Sequence, residues 1–250
     1  MTWLDGLAKV LPVEQVYDDL ASPAAKEVGS IALNTVKAAR FIVAPIDYLA
    51  AQQGRWQNFL KRVSDQVPEE RLIPAHPHIA GQAIEGLKYL EQDGILAELF
   101  INLLARAIDK ERVSEAHPAF ASIITQLSPD EALIIYKLSK TQYRLEQYSS
   151  FNPSSRTFSG RTDTYQEFPC STLAFPQNYH MYMSHLHSLN LAGVWQSGNQ
   201  IPTNSNGVQT GVKIVSHAQL TSFGELFAKA CMPETIENFE QGITDAQPKI

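Results

Sequence analysis

The sequence predicts a mainly α protein: an N-terminal helical bundle followed by a winged-helix-like α+β module with a small β-hairpin wing. Three observations predict it. Apolar residues recur every three or four positions through the first half. Ser, Pro and Gly stand in that half where helices start and stop. In the second half, short runs at 194–196 and 212–215 break the helical pattern, with a turn-rich run between them.

Taken in order, Ser22-Pro23 opens the first predicted helix. Ser caps, and Pro fits the first position because its missing N–H has no partner there. Val28, Ile31, Thr35, Ala39, Ile42 and Ile46 then form one face, and Pro45 ends or kinks it. A second helix buries Ile46, Leu49, Trp56, Phe59, Leu60 and Val63. Pro68, Pro74 and Pro77 make 67–77 an extended connector. A third helix carries Ile79, Ala83, Leu87 and Leu90. Asp93-Gly94 interrupts the chain, and a fourth helix runs from Ile95 through Ala107. Its apolar residues cover more than half its circumference, which places it at the centre of the bundle.

His117-Pro118 opens a short helix with Phe120, Ile123 and Ile124. Ser128-Pro129-Asp130-Glu131 reads as a capping box, leading to Leu133, Ile134 and Leu138. The run 149–177 is polar and Ser-rich and reads as a long loop with a hairpin around Gly160. A helix over 179–191 precedes the two strands. A last helix starts near Ser222 and Glu225, which have capping-box spacing. The predicted domains are a bundle at 1–112, a module at 113–233 with the inserted loop, and an acidic tail at 234–250 whose composition suits partial disorder.

Composition excludes several function classes. With 44% hydrophobic residues the chain can bury a core. With 26 acidic against 20 basic residues it is no broadly basic nucleic-acid coat, though a local basic face is allowed. The two cysteines, Cys170 and Cys231, make no disulfide framework. No uncharged apolar run is long enough to span a bilayer, and the first residues lack a basic, then apolar, leader pattern. The expected location is the cytoplasm.

No motif carries a reaction. Walker-type, Gly-x-Gly-x-x-Gly and Gly-x-Ser-x-Gly patterns are missing from the sequence. His76-Pro77-His78 and His185-Leu186-His187 are two His-x-His pairs, but neither lies in a predicted strand, where both rings would share a face. No catalytic residue, metal ligand or cofactor is expected, and the chain reads as a non-enzyme. In a winged helix the helix before the wing reads the major groove. Here its outward candidates, Tyr182, Ser184, His185 and Asn190, include no Lys or Arg. That favours protein docking over nucleic acid. The candidate contacts for nucleic acid or a partner are Lys137, Lys140, Arg144, Arg156, Arg161 and Lys213. A third reading places Lys37, Arg40, Arg55, Lys61 and Arg62, on an amphipathic hairpin over 28–63, against an anionic membrane surface.

Several segments together resemble the abortive infection alpha (Abi-alpha) family of bacterial proteins. They are Val16-Tyr17-Asp18-Asp19-Leu20 leading to Ser22-Pro23-Ala24-Ala25-Lys26-Glu27-Val28-Gly29, and Leu72-Ile73-Pro74. They continue with the helix ending at Ala107 followed by His117-Pro118-Ala119-Phe120, then Gln126-Leu127-Ser128-Pro129-Asp130-Glu131-Ala132, and Leu220-Thr221-Ser222-Phe223-Gly224. The resemblance runs from about Val13 to Met232 and implies a role in defence against bacteriophage. It implies no reaction. The expected molecule is an interaction protein, acting as sensor, adaptor or effector on an unidentified phage or host protein. The alternatives are a nucleic-acid-binding regulator and a membrane-surface effector.

Overall fold

The computed structural model describes residues 54–88, 90–91 and 93–236. The predicted helix from Ser22, the positions Lys37 and Arg40, and the tail beyond 236 lie outside them. The chain divides between Gln126 and Leu127 into two compact units, where the sequence reading sets the boundary at 112/113. The described residues form a mixed α+β protein, helices first and then a five-stranded antiparallel sheet. This corrects the mainly α expectation, and the reason lies in the second unit.

In the first unit, helix α1 covers 54–65 among the described residues. It buries Trp56, Phe59, Leu60 and Val63 at the predicted spacing. The chain then takes one 3-10 turn at Glu69–Arg71 and runs extended into α2, Pro77–Leu87. His76 caps α2, its Nδ1 accepting from the N–H of His78 at 3.3 Å. Helix α3, Ile95–Ala107, is buried on nearly every side, as its apolar circumference predicts. Helix α4, Ala119–Ile124, packs on α2 and α3.

A polar knot closes this unit. Asp109 follows α3 and is fully buried. Its carboxylate accepts from Arg71 Nε at 3.0 Å, from Arg112 Nε at 2.5 Å and from the Glu111 N–H at 3.0 Å. Ile73 N donates to Ile108 O and Lys110 N to Arg71 O, each at 2.9 Å. The Pro-rich connector is thereby tied to the end of α3. The Arg71 guanidinium holds the Asp109 carboxyl well below the usual carboxylate range, helped by the Glu111 N–H and by Arg112.

The second unit opens with α5, Pro129–Lys140, whose capping box forms as predicted. Strands β1, Tyr143–Asn152, and β2, Thr157–Gln166, follow. Then come α6, Tyr179–Ser188, β3, Ala192–Gln196, β4, Ile201–Ser205, β5, Val208–Leu220, and α7, Ser222–Cys231. The sheet order is β2-β1-β5-β3, and β4 also pairs with β5. Most of the predicted loop 149–177 is therefore hairpin and short 3-10 turns. The predicted strand 212–215 is the middle of a strand of 13 residues. The predicted turn run contains β4.

Alternation along β5 separates the two faces. Val212, Ile214, Ser216 and Ala218 are buried, and α5, α6 and α7 pack on this side. Lys213, Val215 and His217 face away from the core. The start of α7 fixes the carboxyl end of β5. Thr221 is the cap, accepting from Gly224 N at 2.9 Å, so the expected Ser222–Glu225 box is replaced by a cap one residue earlier. Thr221 N also donates to Leu191 O at 2.9 Å. A Cβ on Gly224 would sit 1.8 Å from that carbonyl oxygen, so glycine alone lets the helix start there.

Candidate interaction surface

Two adjacent carboxylates on α5 organise the second unit, and both are buried. Asp130 accepts from Ala174 N at 2.8 Å, Phe175 N at 3.0 Å and Tyr182 Oη at 3.0 Å. Glu131 accepts from Ser128 N and Oγ, each at 2.8 Å, and its other oxygen lies 2.6 Å from His185 Nδ1. A buried carboxylate must have its lone pairs filled, and here the chain fills them itself. The result clamps α6 and the 173–175 turn to the start of α5. Tyr182 and His185, expected to face outward, are turned inward by this clamp. Ser184 and Asn190 do stay exposed.

A second cluster joins β2 to α6. His180 Nε2 lies 2.5 Å from Asp163 Oδ2, and Gln147 Nε2 donates to Asp163 Oδ1 at 2.7 Å. Phe168 stacks on Tyr179 at 4.9 Å between ring centres and meets Tyr143 edge-on at 5.1 Å. Burial pushes the Tyr179 phenol up to about 12. Burial likewise pushes the Cys170 thiol up, away from the thiolate a nucleophile needs. Both cysteines are free. Among the described residues, no group of three His, Cys, Asp or Glu side chains could hold a metal ion.

The outer face of the sheet is left largely open by the unit's helices, α6 reaching its edge where His187 meets Trp195 edge-on at 6.2 Å between ring centres. Residues directly opposite in register share a face. One row across it is Trp195, His217 and Arg144; the next is Val215, Glu146 and Tyr165; a third is Ile201, Lys213 and Tyr148. Trp195, Tyr165 and Ile201 are exposed. A polar cleft of about 510 Å³ opens beside the end of α5, with Lys140, Thr141, Gln219, Ser222 and Glu225 among its walls.

The sequence-predicted contact residues are not gathered into one basic face. Glu146 binds Lys213 at 2.6 Å and also Arg144. These cations, Lys213 foremost, hold its carboxyl below the usual range. Lys140 lies over the Tyr136 ring at 4.8 Å, one turn from Lys137. Arg156 lies in the β1–β2 turn and Arg161 on β2 opposite Ser149. Of the second predicted set, Arg55 donates to Leu90 O, Lys61 pairs with Asp65 at 2.7 Å and Arg62 pairs with Glu98. These charges are answered within the first unit. No helix among the described residues is long and apolar enough to cross a membrane. Sequence reasoning passed over Tyr165 and Ile201, which fall in the supposed loop and turn run, and did not single out Trp195 within the predicted strand 194–196.

A two-unit chain with helices first and then an antiparallel sheet packed by helices on one face is of the mixed α+β class. The family model for abortive infection alpha matches residues 51–231, and the chain belongs to that family. Membership implies a role in defence against phage. The chain matches no curated protein and no solved structure.

Proposed function

We propose that this protein acts in phage defence through contact surfaces, as a sensor, adaptor or effector rather than as an enzyme. The observation that carries the reading is the largely open outer face of the sheet, with Tyr165, Ile201 and, beside His187 of α6, Trp195 exposed on it. Exposed aromatic and aliphatic side chains grouped on one face favour a protein partner. The buried carboxylates support it from the other side. Asp109, Asp130 and Glu131 spend their oxygens on backbone, arginine, tyrosine, serine and histidine groups that hold the fold together.

We read the second unit as a winged-helix-like module with β2 as an added strand. Support comes from the order α5, β1, α6, β3, β4, β5, with β5 lying between β1 and β3. The groove-reading use of such a module is disfavoured. Arg144 and Lys213 share Glu146, and two of the expected contact residues on α6 point inward. Phosphate affinity grows with the number of cations left to neutralise it.

Phage plating on cells with and without the gene tests the defence role, and equal plating would remove it. Trp195→Asp on the outer face, in a protein that still melts like wild type, should restore plaquing. Lys140→Gln with Glu225→Gln in the cleft should leave protection unchanged. Protection lost with the cleft pair but kept with Trp195→Asp would overturn the surface reading in favour of chemistry.

A further inference from the structure

The turns of the β1–β2 and β4–β5 hairpins project from the same end of the sheet, because β1 and β4 both run antiparallel to β5. We propose that these two tips form a patch that docks on an anionic membrane surface. Charge is the first argument. Residues 147–162 contain no Asp or Glu, and 197–212 carry no charged residue at all. Arg156 and Arg161 are the cations of this end. Neither pairs with a carboxylate among the described residues, unlike Arg144, Lys213, Lys61 and Arg62. Positive charge at this end is therefore unanswered among the described residues.

The second argument is apolar exposure. Phe158 is 48% exposed and Val208 56%. Phe158 also packs on Phe151 across the hairpin at 4.9 Å between ring centres. Aliphatic and phenyl groups around arginines suit the boundary between lipid headgroups and acyl chains. A phosphate backbone offers such groups nothing, and two cations are few for nucleic acid, whose binding scales with phosphates neutralised.

The third is backbone strain. Arg156 sits at φ +55 in the β1–β2 turn. A non-glycine residue is disfavoured there. The neighbouring tip meets the same demand with Asn206-Gly207, at φ +52 and +78. A guanidinium is thus kept at the tip where Gly or Asn would cost less.

The test is cosedimentation of the full chain with vesicles of phosphatidylcholine alone or enriched in phosphatidylglycerol. Wild type should bind the anionic vesicles and not the neutral ones. Arg156→Gln with Arg161→Gln should weaken binding about 30-fold. Phe158→Ser with Val208→Ser should weaken it by about tenfold. All four side chains lie in exposed positions, and unchanged thermal melting confirms the fold. No vesicle binding overturns the proposal, as does binding that survives either set of substitutions. So does loss in the arginine variant alone with competition by an oligonucleotide, which would mark a nucleic-acid contact. Failure here leaves the outer-face reading intact, since that depends on Trp195→Asp.

Discussion

Asp109 shows how one residue can decide a unit's stability. It is buried at a chain reversal, and two arginines from different segments converge on it. Asp109→Asn removes the charge that both guanidiniums answer and should cost about 2 kcal/mol, the scale of hydrogen bonds to charged groups. Its pH dependence has a defined sign. The folded carboxyl titrates below its unfolded value, so its contribution is whole above about pH 4 and fades as the pH falls through the folded pKa. Denaturant midpoints of wild type and variant should differ equally at neutral and mildly acidic pH, and converge only in strong acid. A constant gap down to the lowest accessible pH would show that Asp109 acts through shape alone. The sequence showed this residue as one of several acids around a helix end. Nothing local reveals that Arg71, 38 positions away, closes on it. The inward turn of Tyr182 and His185 was hidden for the same reason: their partners, Asp130 and Glu131, lie more than 50 residues earlier.

Elements whose signal is local were legible, and those whose signal is a pairing were not. Helices α2, α3 and α5 follow from caps and from apolar spacing of 3.6 residues, which a short stretch contains whole. Strands β1 and β2 lack that. Strand β2 is exposed at nearly every position, so no buried stripe marks it, and its Ser, Thr and Gly content resembles a loop. Register shifts between Glu146/Gln147 and between Ser149/Ser150 further break the alternation. The β4–β5 turn did carry a usable sign, Asn206-Gly207, the dipeptide suited to a tight hairpin. At the far end of β5 the signal is again a contact. Thr221 caps α7 while Gly224 leaves room for the Leu191 carbonyl. Gly224→Ala should therefore destabilise by about 1–3 kcal/mol despite the higher helix propensity of Ala. The urea midpoint should drop with an unchanged slope. A neutral or stabilising result would mean that α7 shifts freely away from Leu191.

At the scale of the molecule, the division between Gln126 and Leu127 makes a claim about cooperativity. The second unit packs α5, α6 and α7 on its own sheet, and its buried side chains include Leu133, Ile134, Leu145, Leu186, Ile214 and Phe227. Its two buried carboxylates find every hydrogen-bond partner named above within residues 128–185. A polypeptide covering 127–236 thus keeps both its apolar core and its polar clamp. It is long enough to bury a core of its own, above the size where staples are needed. It should fold alone, with sheet and helix in its far-ultraviolet dichroism and one cooperative thermal transition. Extending it back to include α4 should add little, because α4 packs on α2 and α3. A fragment 127–236 that stays unfolded, or melts without a cooperative transition, would show that the units are stable only together. The largely open sheet face would then have to be judged as part of one larger body instead of as the surface of an autonomous module.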